Sequence, residues 1–173
     1  MAKHTILIVD DEPTQRKVLG KFIKDLSYNY LVMSSGMEVV DFFMNKKVVD
    51  GISYHDVDVM LLDLSMPDLD GLEVLKQIEP FKGDLQVIVL TANKDVTLAV
   101  RAINYGAIDY IVKGERDIFA RVTASINNAI DKRSLKYQVS HLARKSKDQV
   151  VFSDIIGQSE EMNNTIKLAK KVI

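Results

Sequence analysis

Five polar residues stand where short apolar runs of the sequence end. They are Asp10, Asp11, Asp63, Thr91 and Lys113. In open α/β sheets, ligands bind beyond the carboxyl ends of the strands. This placement therefore predicts a site at one edge of a sheet that combines three carboxylates, a hydroxyl group and an ammonium group.

The chemistry predicted for this site follows from its charges. Clustered carboxylates repel one another and do not all ionise unless a cation compensates them. A small set of oxygen ligands favours Mg²⁺ over Zn²⁺. Beside such a cation, the Asp63 carboxylate could act as a nucleophile on a phosphoryl group and form an aspartyl phosphate. Lys113 and Thr91 would then be further partners of the phosphoryl oxygens.

Each of these residues also has a simpler interpretation. The acids of residues 10–13, Asp-Asp-Glu-Pro, suit the N-terminus of a helix and its dipole. Asp63 before a turn is often only a capping residue, and Lys113 alone would be an ordinary surface lysine. Their ordered occurrence at the ends of successive apolar runs favours the joint site.

The elements that must position these residues alternate along the chain. Short runs rich in Val, Ile and Leu predict strands buried on both faces, at 5–9, 30–33, 59–62, 86–90 and 110–112. Apolar residues at three-to-four spacing predict helices at 14–26, 36–46, 71–79 and 95–105. Segment 46–58 predicts a surface loop or an extended helix end. The pattern predicts an α/β fold with a doubly wound five-stranded parallel sheet.

Residues 116–148 contain neither Pro nor Gly and predict one long helix. Its first half carries an apolar stripe that we expect to pack on the domain, formed by Ile118, Val122, Ile126 and Ala129. Its second half carries a different stripe, formed by Leu135, Val139 and Leu142. We expect this second stripe to join two chains in a dimeric coiled coil, although a solvated helix with a few apolar residues is the alternative.

The composition excludes several classes of protein. The 173 residues include no Cys, so disulfides and thiolate metal sites are absent, which fits a cytoplasmic location. No apolar run approaches the length of a membrane span or of a signal-peptide core. The net charge is −1, and the basic excess of residues 114–173 is too small and scattered to indicate nucleic-acid binding.

Other phosphate and metal motifs fail on inspection. The sequence has no GxxxxGK[ST] loop, and MPDLDG places Met66 and Gln77 at ligand positions of an EF-hand. A phosphatase of the haloacid-dehalogenase type would need an acid two residues after Asp63, where Ser65 stands.

Four segments together resemble the response-regulator receiver domain of two-component signalling: ILIVDDEP, VMLLDLSMPDLDGLEVL, VIVLTA and GAIDYIVK. The resemblance implies a flavodoxin-like receiver with five strands and five helices, followed here by a linker helix. It implies that Asp63 accepts a phosphoryl group from a sensor histidine kinase. The implied Mg²⁺ ligands are Asp10, Asp11, Asp63 and the backbone carbonyl of Ser65. Thr91 and Tyr110 match the switch residues, and Lys113 matches the lysine that pairs with the phosphate.

One position departs from the receiver pattern. The family usually has Pro after the lysine, often across a cis bond, whereas Lys113 is followed by Gly114. A non-proline cis bond costs roughly 3 kcal/mol, so the bond is either trans or strained. The 46–58 segment is also longer than is common in the family.

The end of the sequence resembles a second family. FSDIIGQSEEM followed by IKLAKKV is similar to the opening of the AAA+ domain in sigma-54-dependent activators of the NtrC type. We therefore predict a receiver domain at 1–118, a helical linker at 119–150 and a truncated AAA+ start at 151–173. DNA and sigma-54 RNA polymerase would be bound only by domains beyond this chain, and no membrane partner is expected.

The resemblance implies a two-component response regulator, a switch with no enzymatic activity beyond self-phosphorylation and slow autodephosphorylation at Asp63. Phosphorylation would control a homodimer and a downstream ATPase. Two alternatives remain: a receiver-like module that dimerises without phosphorylation, and a Mg²⁺-dependent phosphohydrolase.

Overall fold

A five-stranded parallel sheet forms the centre of the protein. The computed structural model describes residues 4–135, 138 and 139. In chain order the strands are β1 (Thr5–Val9), β2 (Asn29–Met33), β3 (Val48–Val49), β4 (Ile52–Ser53), β5 (Val57–Leu62), β6 (Gln86–Thr91) and β7 (Ala107–Val112). The parallel sheet has the order β2-β1-β5-β6-β7. The strand order reverses between β1 and β5, where a doubly wound sheet opens a crevice for ligands.

Helices connect the strands of this sheet. They are α1 (Pro13–Asp25), α2 (Gly36–Met44), α3 (Gly71–Ile78), α4 (Val96–Asn104) and α5, which begins at residue 118 and is helical up to 135. The predicted doubly wound α/β fold with a helix after the last strand is therefore confirmed. None of the helices in the described part of the chain combines the length and apolar character that a bilayer crossing requires.

Two hydrophobic cores cover the two faces of the sheet. Leu7 and Val9 point into one core with the buried faces of α2 and α3. Ile6 and Ile8 point into the other core with α1 and α5. Because successive strand residues face opposite sides, a strand buried on both faces must be apolar throughout. This explains the unbroken apolar runs in the sequence.

The helix predicted at 95–105 is confirmed as α4, and its larger apolar residues lie mostly outside the core. The apolar repeat at Val96, Val100 and Ile103 does not face the sheet, and the exposed fraction of Val96 is 74%. The inward positions are Ala102, which is fully buried, and Leu98, which packs against the core. Ala102 and Leu98 therefore contribute to the core, whereas Val96, Val100 and Ile103 are exposed.

Segment 46–58 is neither a plain loop nor a helix extension. Strands β3 and β4 form a short antiparallel hairpin, and residues Tyr54–Asp56 form one 3₁₀ turn before β5. The hairpin turns at Asp50 and Gly51, whose φ angles are +50° and +76°. Asp and Gly are residues that tolerate positive φ, which a two-residue hairpin turn requires. The Asp-Gly pair between apolar residues is therefore a feature of the sequence from which this hairpin could have been predicted.

The first half of α5 belongs to the domain. Val122, Ile126 and Ala129 are fully buried in the core beneath α1 and α5, as their spacing predicted. The compact unit that contains this stripe ends at Arg133. The receiver boundary at 118 that the sequence predicts stays a prediction.

Asp58, at the start of β5, ties together three parts of the compact unit. Its Oδ2 accepts a hydrogen bond from the backbone N–H of Thr5 at 2.8 Å. Its Oδ1 lies 2.6 Å from Nη1 of Arg133, at the end of the unit. The Arg133 guanidinium also donates to the carbonyl oxygens of Val57 at 2.9 Å and His55 at 3.3 Å. The same contacts therefore hold the start of β1, the start of β5 and α5.

We predict that Asp58→Ala lowers the free energy of unfolding by about 2 kcal/mol, because it leaves the buried Thr5 N–H and the Arg133 charge without their partner. Urea unfolding followed by circular dichroism measures the change. Glu115→Ala is the matched control, because Glu115 pairs with Arg121 at 2.8 Å on the surface. That pair contributes less than about 1 kcal/mol, so equal losses in the two variants would contradict the prediction.

Candidate functional site

The sheet register brings Asp10 and Asp63 to the same edge. Val9 and Leu62 are register partners at the ends of the neighbouring strands β1 and β5. The backbone N–H of Asp63 then donates to the carbonyl oxygen of Val9 at 2.9 Å, which continues the ladder by one residue. Both aspartates therefore leave the sheet side by side at its switch point.

Three carboxylates gather at this point. One oxygen each of Asp10, Asp11 and Asp63 lies within 4.8 Å of the others. Asp10 is 1% exposed and Asp63 is 6% exposed, whereas Asp11 faces solvent. Buried like charges at this separation repel strongly unless a cation compensates them. An all-oxygen set with one solvent-facing member fits a hard divalent cation that keeps some of its water.

Lys113 supplies compensating charge from the end of β7. Its Nζ lies 2.6 Å from Oδ2 of Asp10 and 3.0 Å from Oδ2 of Asp63. Its backbone N–H donates to the carbonyl oxygen of Thr91 at 2.7 Å, and this bond fixes the backbone position from which the side chain extends. Burial disfavours the charged amine, but hydrogen bonds and attraction from the two aspartates outweigh it, so the pKa of Lys113 is raised.

A second cation lies at this site, Arg16 of α1, which the sequence patterns did not predict. Its Nη1 donates to the backbone carbonyl oxygens of Asp10 at 2.6 Å and Asp11 at 2.8 Å. The N–H of Glu12 donates to Oδ1 of Asp10 at 3.0 Å. A basic residue in the first turns of a helix opposes the helix dipole. This unfavourable position of Arg16 is the feature of the sequence that could have indicated a special role.

Thr91 and Tyr110 both contact the loop between β6 and α4. Thr91 is fully buried, and its Oγ1 accepts from the N–H of Asn93 at 3.3 Å. The Tyr110 hydroxyl donates to the carbonyl oxygen of Asn93 at 2.8 Å. Burial raises the pKa of Tyr110, and the negative charges of Asp95 and Asp63 raise it further. The two predicted switch residues therefore share one backbone segment.

The loop that follows Asp63 packs tightly against this residue. The N–H of Ser65 donates to Oδ1 of Asp63 at 3.3 Å. A Cβ atom on Gly71 would lie 2.5 Å from the Asp63 carbonyl oxygen and 2.8 Å from the Cα of Leu64. Only glycine leaves room for this approach, so the turn back to α3 is close to the site.

The peptide bond between Lys113 and Gly114 is trans. Within the described residues all peptide bonds are trans, and Gly114 takes a φ of +84°. Glycine adopts this left-handed conformation without a Cβ penalty. Lys113 reaches both aspartates all the same, so glycine at this position does not displace the lysine.

The predicted linker residues are placed only in part. Leu135 is 61% exposed and Val139 is 66% exposed. Leu142 lies outside the described residues. Self-association through these linker residues therefore stays a prediction.

The protein is thus a doubly wound α/β domain with acids at its switch point and a lysine directly after its last strand. The family model of the response regulator receiver domain matches residues 6–123, which is more than half of the chain. The protein therefore belongs to the response-regulator receiver family.

Curated relatives extend this likeness to transcriptional regulators. The chain is 32% identical over 161 residues to the DNA-binding transcriptional regulator NtrC of Klebsiella pneumoniae, covering 93% of this chain and 31% of NtrC. It is 35% identical over 136 residues to the probable transcriptional regulator ycf27 of Cyanidium caldarium, covering 78% of this chain and 50% of that protein. The chain thus spans a half or less of the length of these relatives.

Solved structures share the fold. A receiver domain protein from Clostridium thermocellum is 28% identical, with a TM-score of 0.66, and the match covers 76% of this chain and 98% of that chain. The response regulator TrrA from Thermotoga maritima, crystallised with Mg²⁺ and BeF, is 27% identical with a TM-score of 0.60, covering 73% and 98%.

We predict that Lys113→Gln lowers the free energy of unfolding by about 3 kcal/mol in a chelating buffer, because Asp10 and Asp63 lose their buried cation. Added Mg²⁺ should restore more stability to the variant than to the wild type, because the ion meets no competing amine. Lys76→Gln is the control, since Lys76 pairs with Glu73 on the surface. Thermal unfolding with and without Mg²⁺ measures both effects.

The pH dependence of the Lys113→Gln effect has a defined sign. A raised pKa means that the charge of Lys113 stabilises the folded state fully below its ordinary value of 10.5 and loses this effect above it. The stability difference should therefore stay constant from neutral pH upward and narrow only above about pH 10.5. A difference that vanishes near neutral pH would contradict the assignment.

Proposed function

We propose that this protein is a receiver whose Asp63 accepts a phosphoryl group from a sensor histidine kinase. The observation that carries the proposal is the arrangement around Asp63: a buried carboxylate, with Lys113 Nζ 3.0 Å from one oxygen and two further aspartates beside it. Family membership supports a histidine kinase as the general class of partner.

Mg²⁺ is the cation that fits the acidic cluster best. Asp10, Asp11 and Asp63 would hold it together with the backbone carbonyl of Ser65. The bound ion would neutralise charge on the phosphoryl oxygens during transfer. The Mg²⁺–BeF complex of the related TrrA supports this choice.

The phosphoryl transfer can be written with the residues of this chain. A carboxylate oxygen of Asp63 attacks phosphorus; an O–P bond forms, and the N–P bond to the kinase histidine breaks, its electron pair staying on the imidazole. Lys113 keeps its proton, because its pKa is raised, and pairs with a phosphoryl oxygen. Asp10 loses part of its lysine contact at that point, which the cation would compensate.

The response to the new charge would pass through the loop between β6 and α4. We infer that the Thr91 hydroxyl turns to a phosphoryl oxygen and that Tyr110 follows, because both now hydrogen-bond to Asn93. Phosphorylation would then shift the population of two arrangements of this loop and of α4. The exposed apolar residues of α4 would change their surroundings in this shift.

The downstream context is the NtrC type of sigma-54-dependent activator. The match to NtrC, which extends over 161 residues, supports this assignment. In the proposal, the helical linker forms a homodimer through Leu135, Val139 and Leu142. DNA and sigma-54 RNA polymerase would be bound through regions beyond this chain.

Two alternatives predict different observations. A phosphohydrolase would release phosphate steadily, but Ser65 stands where an acid would be needed to activate water. A dimerisation module that ignores phosphate would leave no role for the buried acidic cluster. The intact cluster with its lysine therefore favours the switch.

We predict that acetyl phosphate and Mg²⁺ add one phosphoryl group to the wild type and none to Asp63→Asn. The amide keeps the shape of the side chain but is not a nucleophile for phosphorus. Intact-protein mass spectrometry gives the result directly. Asp50→Asn is the control, because Asp50 lies in the hairpin turn, where Asn also tolerates positive φ. Phosphoryl addition to Asp63→Asn would refute the proposed acceptor.

We predict that a double substitution, Leu135→Ser with Val139→Ser, weakens self-association by about a hundredfold or more, since each buried apolar side chain contributes about 1.5–3 kcal/mol. Sedimentation velocity over a concentration series, with and without Mg²⁺ and beryllofluoride, measures it. Lys132→Ser is the control at an exposed position of the same helix. A monomeric wild type, or an equal effect of the control, would remove the linker from the dimer.

A further inference from the structure

The loop of residues 64–70 connects Asp63 to α3 and is fixed at its far end. The N–H of Gly71 donates to the carbonyl oxygen of Leu64 at 3.0 Å, which closes the loop on itself. Asp70 caps α3 by accepting from the N–H of Leu72 at 2.7 Å. These contacts lie within the loop and its own helix, so they leave the middle of the loop to be held by something else.

Asp68 connects the middle of this loop to a different helix. One carboxylate oxygen accepts from the backbone N–H of Met37 at 2.9 Å, and the other accepts from the N–H of Gly36 at 3.3 Å. Burial opposes the charged carboxylate, but these N–H groups and those of Leu69 and Asp68 itself outweigh it. The pKa of Asp68 is therefore lowered, and the carboxylate stays ionised at neutral pH.

The first turn of α2 packs tightly against the loop beside this contact. A Cβ atom on Gly36 would lie 2.6 Å from the carbonyl oxygen of Leu69 and 2.9 Å from its Cβ. The first turn of α2 therefore touches the loop backbone directly. Two hydrogen bonds on one side and a backbone contact on the other hold the loop in one position relative to α2.

The start of α2 has a cap without Asp68. Ser35 accepts from the N–H of Glu38 at 3.2 Å, and the Glu38 side chain accepts from the N–H of Ser34 at 2.7 Å. Ser35 thus caps the helix through Glu38, and Glu38 holds the residue that precedes the cap. The Asp68 contact spans more than 30 residues, so its additional effect is to join the loop to the helix.

We propose that Asp68 is a positioning residue for the cation site, because it holds the loop that carries the Ser65 carbonyl in place before the cation binds. The inference deepens the proposed function and depends on it. Asp68 does not touch the cation. It acts through the loop backbone between Ser65 and Leu69, whose position sets where the carbonyl oxygen lies relative to Asp63.

The test compares Mg²⁺ affinity in the wild type, Asp68→Ala, Asp68→Asn and Ser35→Ala. Affinity is read from backbone amide shifts during a Mg²⁺ titration, and thermal unfolding is recorded for every variant. Salt at 0.5 M shortens the Debye length well below 10 Å, which screens the lost charge. Ser35→Ala is the matched control, because it removes a cap from the same helix without touching the loop.

We expect Asp68→Ala to weaken Mg²⁺ binding by about tenfold, the lower end of the effect of outer-shell partners of metal ligands. Asp68→Asn keeps one acceptor oxygen and should retain most of the affinity that Asp68→Ala loses. Ser35→Ala should lower the unfolding temperature without changing the affinity.

Three results would overturn the inference. If Asp68→Ala binds Mg²⁺ as the wild type does, the loop needs no such support. If Asp68→Asn loses as much affinity as Asp68→Ala, the charge and not the hydrogen bonding matters. If Ser35→Ala loses as much Mg²⁺ affinity as Asp68→Ala, the loss results from a weakened α2 and not from the loop. A wild type that binds no Mg²⁺ would instead remove the proposed cation site itself, and this inference with it.

Discussion

Repulsion among three carboxylates at one sheet edge is the constraint on which the site depends. Asp10 and Asp63 are almost fully buried, so water screens their charges poorly and compensation must come from neighbouring groups. Lys113 gives that compensation at the side chains, and Arg16 binds the backbone carbonyls from the other side. In the proposed function, a further cation or a phosphoryl group would change this balance of charges, because either one alters which contacts are favourable.

The parallel sheet is what makes such close carboxylates possible. Adjacent strands end in register, and the ladder continues by one hydrogen bond from Asp63 to Val9. The core on each face fixes the strands, so the loops at the carboxyl edge can carry the chemistry on a rigid base. Gly71 and Gly36 then allow the backbone of neighbouring elements to approach the loop after Asp63 more closely than a side chain would permit.

The two ends of the sheet serve different purposes. At the carboxyl edge, Thr91 and Tyr110 both hydrogen-bond to the Asn93 backbone. At the opposite edge, Asp58 and Arg133 hold α5 to the start of β5. In the proposed switch, the first contact set is the one that rearranges, while the second keeps the outgoing helix attached to the domain.

The sequence by itself determined the fold class and the candidate residues of the site. Apolar runs that end in charged residues are a local pattern, and a parallel sheet turns that pattern into one shared edge. The tertiary structure decided what depends on distant neighbours. Asp68 and Asp58 bind groups far along the chain, and α4 buries Ala102 while it exposes Val96. Spacing along a chain shows which residues share a face; only packing shows which face is covered, and which carbonyl or N–H lies within a side chain's reach.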